Sequence, residues 1–496
     1  MVEPMTNHTW SLHVTRNAVL FILSLLFLPV DTAILSISYV IGALSSHSQA
    51  RRRIRASPSF YPKTILVTGV GMSKGLHLAR TFYEAGHQVI GADFEPHGIP
   101  VSGRFSRALQ RFYTLTKPNA NDGAALYIRD LISIVRKEKV DLWVSCSGVA
   151  SAAEDGQAKE EIEHRTLCKA VQFDTQLTTT LHEKHTFIQN TAALGLNTPE
   201  THHVTSRASA HKILHNADAK HYIMKNVGVD DASRGDMTLL PRPTTSETYH
   251  HLSAMNISKE NPWVLQQYIR GEEYCTHALI IRGEVRAFVA CPSSELLMHY
   301  EALPPQTALS QAMLQYTQDY AAGTGENMTG HFSIDFLVEE SVRGPGTEKV
   351  LYPIECNPRA HTAVVLFRGV SHSMAQAYLS VLGSDDAGLT NGTLHDVVTP
   401  IDPLRFYWSG HDLLMLLIVP LLSFLSLSAS IWDVAESYAK FLERLLFWKD
   451  GTFEMWDPLP WWSLYHIYWP GQFLAAIIQE RPWSRINVST TKMFLC

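Results

Sequence analysis

Three side chains able to handle charge recur at every second position in Leu351-Tyr-Pro-Ile-Glu-Cys-Asn-Pro-Arg-Ala-His-Thr362: Glu355, Asn357 and Arg359. Alternation along a strand puts Glu355 and Asn357 on one face and Ile354 and Cys356 on the other. Pro358 has no N–H to give to a ladder, so pairing is expected to stop there, with Arg359 on the loop beyond. About twenty residues upstream, His331-Phe-Ser-Ile-Asp-Phe-Leu-Val338 reads as the partner strand, with Asp335 on its polar face and Ile334 and Phe336 turned to a core. The charged, Gly- and Pro-containing stretch 339–349 reads as the exposed loop of an antiparallel hairpin. Such a hairpin sets Asp335 beside Glu355. Asp335, Glu355 and Asn357 then form an oxygen donor set suited to Mg²⁺ rather than Zn²⁺, with an arginine fork placed to meet developing negative charge. The plain alternative is an edge hairpin whose polar residues only face water.

This pattern resembles the end of an ATP-grasp domain, and four further stretches resemble the rest of one in order and spacing. His182-Glu-Lys184 followed by Gly195-Leu-Asn-Thr-Pro199 is similar to the opening helix, with Glu-Lys where the family typically has Asp-Lys. Tyr222-Ile-Met-Lys225 is similar to the strand bearing the phosphate-binding lysine. The stretch 226–237, with Ser233, Arg234 and Gly235, is similar to the loop that closes over the β- and γ-phosphates. Trp263-Val-Leu-Gln-Gln-Tyr-Ile269 and Gly271-Glu-Glu273 are similar to the adenine hinge and the ribose-binding acid, with Gln266 in place of a frequent hinge glutamate.

The resemblance runs from about 63 to 382. It implies an α/β chain: a Rossmann-like pre-ATP-grasp domain (58–175) and an α+β ATP-grasp domain (176–383). It implies ATP and Mg²⁺, with Mn²⁺ as a substitute, as cofactors. Lys184, Lys225, Ser233, Arg234, Gly235, Gln266, Ile269 and Glu273 would contact nucleotide, and Asp335, Glu355 and Asn357 metal. Arg359 and Lys225 would be catalytic, with His361 an accessory. The implied reaction activates a small-molecule carboxylate as an acylphosphate and couples it to an amine in an ADP-forming step. Within the superfamily the chain looks closer to fungal biosynthetic-cluster members of secondary metabolism than to housekeeping enzymes.

The positioning elements can also be read directly. From Lys63 the chain runs strand, glycine turn, helix, strand, with Leu76, Ala79, Phe82 and Tyr83 at helical spacing. Gly69, Gly71 and Gly75 fall one residue off the dinucleotide fingerprint, and Asp93 stands where a ribose-binding acid would be. A nicotinamide-dependent reductase therefore stays open as an alternative, as does a non-catalytic membrane scaffold. No G-x-x-x-x-G-K-[ST] occurs.

Both ends are apolar. In 18–44 (AVLFILSLLFLPV, Asp31-Thr32, AILSISYVIGAL), Pro29 and Asp31 divide the stretch, leaving either one kinked spanning helix or a re-entrant hairpin. The basic run Arg51–Arg55 places the chain beyond it on the cytoplasmic side. Leu413–Leu427, extended to Trp432, is a second stretch of membrane length, and the tryptophans and tyrosines of 456–469 suit a headgroup interface. Segments 1–57 and 384–496 are thus expected to be membrane-associated, with lipid as a partner. A net charge of −6 over 496 residues gives no reason to expect nucleic acid, and the six scattered cysteines read as reduced thiols. Oligomeric state is not legible.

Overall fold

The computed structural model describes residues 7–44, 47–119, 122–146, 152–217, 220–226, 237–293, 298–343, 346–383, 396–401 and 404–495. Among them, strands β1 (Thr64–Thr68), β2 (Gln88–Asp93), β3 (Arg111–Thr114), β4 (Leu142–Val144) and β5 (Lys169–Val171) form a parallel sheet in the order β3-β2-β1-β4-β5. This is the doubly wound arrangement expected from the βαβ pattern, with helices Ser73–Glu84 and Ala125–Glu138 on its faces. Gly75 is required by close packing: a Cβ there would lie 2.2 Å from the Gly69 carbonyl oxygen.

Next come a small antiparallel sheet of β6 (Thr201–Val204), β7 (Tyr222–Asn226) and β8 (Trp263–Gln267), ordered β6-β8-β7, and a larger one. The larger holds β9 (Glu272–Ile281), β10 (Glu284–Pro292), β12 (Gly330–Arg343) and β13 (Gly346–Asn357) in the order β10-β9-β12-β13. Between them in sequence lies β11 (His299–Glu301), which pairs with β14 (Arg405–Tyr407) and through it with β15 (Lys449–Asp450). The expected β12–β13 hairpin is present, but its strands run on to Arg343 and from Gly346, so most of the supposed loop 339–349 is ladder. The Gly- and Pro-containing turn signal is confined to 344–346, and the charged residues on either side pair as a two-stranded ribbon.

The N-terminal apolar stretch is one helix, Asn7–Leu44, continuous through Pro29. At about 1.5 Å per residue its length exceeds a bilayer's hydrocarbon core of roughly 30 Å. Segment Trp10–Gly42 is long and apolar enough to cross a membrane by length and composition. Two of its polar side chains meet the rest of the protein: Asp31 pairs with His466 at 2.8 Å, and Asn17 accepts from Trp483 Nε1 at 3.1 Å. Ile22, Leu25, Leu26, Val30 and Val40 are exposed. An intramembrane-type acid is thereby satisfied without breaking the helix, which resolves the kink-or-hairpin alternative in favour of a single helix.

The C-terminal region departs from expectation twice. Leu413–Leu427 does not extend into a spanning helix: apolar helix Ser409–Leu425 is short, and Ser430 with Asp433 forms a capping box that opens a separate helix, Ile431–Phe447. Capping and the polar 426–430 turn outweigh the apolar continuity. The aromatic stretch is not interfacial either, because Trp461, Tyr468 and Trp469 are buried. Leu464, Trp469 and Phe473 join Ile65, Val67, Leu279 and Leu366 in one core cluster. Residues 406–408 and 464–488 thus contribute to the central core, while helix Ile431–Phe447 stays largely outside it.

A buried ion pair fixes this junction. Arg80 Nε lies 2.9 Å from Asp457 Oδ2, and its other nitrogens donate to the Thr452 and Asp457 carbonyls. Ser106 Oγ and Arg107 N satisfy the remaining Asp457 lone pairs. Breaking one partner of such a pair leaves a buried charge uncompensated. Asp457→Ala should destabilise the protein by about 3–5 kcal/mol, read from denaturant unfolding; a change within experimental error would show the junction to be peripheral.

Candidate active site

β13 is the edge strand of the larger sheet, and its register sets Glu355 opposite Asp335 and Asn357 opposite Ser333. One face of this hairpin is anchored by Phe332, Ile334, Phe336 and Cys356 in a core with Phe288 and Tyr320. Alternation then forces Asp335, Glu355 and Asn357 onto the other face. The ladder shifts by one residue between Asp335 and Phe336, where Ile354 is the extra residue of β13. Such a bulge re-aims neighbouring side chains, and Asn357 Nδ2 donates to Asp335 Oδ2 at 3.1 Å.

Lys184 closes the carboxylate end. It is the first residue of helix Lys184–Ala193, and its Nζ lies 2.7 Å from Glu355 Oε2. The chain breaks at Glu183 between helices Thr175–His182 and Lys184–Ala193, so the expected opening helix is two. Burial works against charge on Glu355, yet the Lys184 ammonium holds its carboxyl below the usual range. At Asp335, burial and then Glu355 opposite outweigh the charge of Arg359 and push its carboxyl well above the ordinary value. Two carboxylates that resist joint ionisation, with an amide beside them, form a set whose charge a divalent cation would relieve. The residues fit Mg²⁺ in donor chemistry. Among the described residues no group of three or more His, Cys, Asp or Glu side chains could hold a metal ion, so this set rests on two carboxylates and an amide.

The small sheet supplies the facing wall. Lys225 Nζ donates to Gln266 Oε1 at 2.8 Å across the β7–β8 pair, while Gln266 Nε2 donates to Thr201 Oγ1 at 3.3 Å. Gln266 is buried, and its side-chain oxygen is engaged by Lys225. The reason is the ladder: Gln266 pairs with Ile223, two positions from Lys225, so the diagonal lysine is within reach. Burial, and then the charge of Lys184, lower Lys225 to about 8. β8 ends at Gln267, which leaves Ile269, with a buried side chain, outside the ladder. Glu273 is exposed on β9, accepts from Ser293 Oγ at 2.8 Å, and its charge bears on both Lys225 and Asp335. Ser233, Arg234 and Gly235 lie outside the described residues.

Arg359 is half-buried directly past the strand, its N–H donating to the Asn357 carbonyl at 2.8 Å. Its positive charge acts on Asp335 from one side and on Lys74 from the other. His361 is a cap: its Nδ1 accepts from Ala363 N at 3.3 Å, and burial holds the ring neutral. Sequence reasoning missed Lys74 as a site residue. Lys74 is buried, with Nζ on the Ala360 carbonyl at 2.8 Å.

The glycine turn is not arranged for a dinucleotide. Asp93, expected as a ribose ligand, is half-buried and accepts from Gly71 N and Phe94 N, both at 2.7 Å. Ser73 N, at the start of the helix where a pyrophosphate would bind, donates instead to the Ser489 carbonyl at 2.9 Å. The reductase alternative loses its site to these internal hydrogen bonds.

No protein-family model matches the chain, and no curated protein is significantly similar in sequence. Solved structures similar to it include N5-carboxyaminoimidazole synthetase from Staphylococcus aureus, with 12% identity, a TM-score of 0.49, and coverage of 71% of this chain and 85% of that one. L-amino acid ligase from Bacillus licheniformis gives 14% identity, a TM-score of 0.43, and coverage of 65% and 75%. The biotin carboxylase domain of Hydrogenobacter thermophilus 2-oxoglutarate carboxylase, crystallised with MgADP and bicarbonate, gives 12%, 0.46, and coverage of 68% and 71%. Likeness at this level carries no chemistry; that has to come from the residues of the site.

Asn357→Ala should weaken Mn²⁺ binding, followed by electron paramagnetic resonance, by about 10–100-fold. Loss of its single hydrogen bond should cost only about 1 kcal/mol of stability. Unchanged Mn²⁺ affinity in the folded variant would remove Asn357 from the donor set.

Proposed function

We propose that this protein is an ATP- and Mg²⁺-dependent ligase that joins a small-molecule carboxylate to an amine. The observation that carries the reading is the facing arrangement of Asp335, Glu355 and Asn357 on one hairpin, Lys184 on Glu355, Arg359 past the strand, and Lys225 on the opposite sheet.

Asp335, Glu355 and Asn357 would hold Mg²⁺, which when bound screens the charge of the ATP phosphates. Lys225, kept in place by Gln266, supplies a second positive charge to those phosphates. Arg359 stabilises the charge that develops as a substrate carboxylate oxygen attacks the γ-phosphorus and the bond to the ADP oxygen breaks. Attack of the amine nitrogen on the acyl carbon then breaks the acyl C–O bond and releases phosphate, and the amine proton leaves to solvent. The protein positions reactants and offsets charge, and this reading names no general base.

The exposed apolar side of helix Asn7–Leu44 supports membrane attachment. So does the apolar tip formed by Leu421, Leu422, Leu425, Leu427, Ile431 and Trp432. Arg51 is engaged in the fold, donating to the Tyr83 and His87 carbonyls, which ties the basic run to the catalytic body on the side read as cytoplasmic. A specialised role in secondary metabolism is supported by these fused apolar elements alone.

Calorimetry on the full chain should show ATP binding that requires Mg²⁺ and disappears in Glu355→Ala, with no NADPH binding. NADPH binding without a response to ATP would sink the reading. The affinity should also depend on pH. Lys225 is cationic below its folded value of about 8, so MgATP binding should weaken as pH rises through about 8. Lys225→Arg, which keeps its charge, should move that loss to higher pH; a flat profile in both would take Lys225 away from the phosphates.

A further inference from the structure

A C-terminal hairpin, β16 (Arg485–Asn487) and β17 (Lys492–Phe494), reaches the same cleft from another side. Its turn is not a surface feature. Ser489 is fully buried, its carbonyl accepts from Ser73 N at 2.9 Å, and its hydroxyl lies 3.4 Å from Thr362 Oγ1. Ser73 opens the helix after the glycine turn, and Thr362 is three residues past Arg359. Asn487 Oδ1 pins the turn by accepting from Ser489 Oγ at 2.8 Å and Thr490 N at 3.0 Å. Tyr468 Oη donates to the Thr491 carbonyl at 2.8 Å. The hairpin is thereby clamped between the glycine turn and the exit of the site strand, and Lys492 is fixed there.

Three cations from distant stretches of sequence meet at this point. Lys74 comes from the glycine turn and bonds the carbonyl next to Arg359. Arg359 comes directly after the metal-set strand, and Lys492 opens β17. Burial lowers the Lys492 ammonium below its ordinary value, and the charges of Arg359 and Lys117 add to the effect. Burial lowers Lys74 to about 7, with Arg359 and Lys492 contributing. Among the described residues Lys492 has no ion-pair partner. Collecting like charges costs free energy. Asp155 and Cys146 offset part of that cost at Lys74, and Asp335 does so at Arg359, whereas only cations act on Lys492.

We propose that Lys492, together with Arg359 and Lys74, forms the acceptor site for an acid substrate bearing two anionic groups. One is the carboxylate to be activated beside Arg359; the other, a second carboxylate or a phosphate-type group, is held by Lys492. This rests on the ligase reading, and it makes the C-terminal hairpin a substrate-binding element.

The test is calorimetric, on the full chain, with glutarate, phosphonoacetate and butyrate as probes and MgATP titrated separately. Wild type should bind glutarate or phosphonoacetate at least about tenfold tighter than butyrate. Lys492→Gln should abolish that preference and Lys492→Arg should retain it, with MgATP affinity the same in all three proteins. The stronger of the two dianions identifies the second group. Equal affinity for all three probes, no binding of any, or an undiminished preference in Lys492→Gln would overturn the proposal. Failure of MgATP to bind wild type while the dianion preference persists would instead overturn the ligase reading and leave the anion site standing.

Discussion

Two carboxylates, Asp335 and Glu355, face each other across one antiparallel hairpin, and the rest of the site is arranged around that repulsion. Like charges directly opposite on neighbouring strands are destabilising. Lys184, the first residue of its helix, removes part of the problem by an ion pair to Glu355. Asn357 removes another part by donating to Asp335. What stays unbalanced is negative charge of the kind a divalent cation would relieve.

The parallel sheet carries this hairpin rather than a cofactor of its own. Its glycine turn has the close packing of a dinucleotide-binding turn, as Gly75 shows, but its polar groups are satisfied internally through Asp93 and Ser489. A fingerprint one residue out of register keeps the fold and loses the ligand, because helix–strand packing and phosphate approach make separate demands on the same glycines. The turn still serves the site: Lys74 passes from it to the Ala360 carbonyl and ties it to Arg359.

The C-terminal region shows how composition misleads when burial is unknown. An aromatic-rich, apolar stretch suits a membrane interface and a protein core equally well. Here Trp461, Tyr468 and Trp469 are in the core, while the apolar side chains around 421–432 remain exposed. The buried Arg80–Asp457 pair joins residues 377 apart in sequence and makes this region inseparable from the parallel sheet.

The sequence by itself determined the local content. Alternation around Asp335 and Glu355–Asn357, the glycine turn before Ser73, and the strand bearing Lys225 all come from period, turn chemistry and breakers, which are local physics. It could not determine what those side chains do to one another. That Gln266 holds Lys225, that Asp93 accepts from Gly71, and that the turn at Ser489 reaches Ser73 and Thr362 were decided by tertiary packing. Each depends on which distant groups compete for the same lone pair or the same buried volume, and a hydrogen-bonding group shows its partner only once the chain has folded around it.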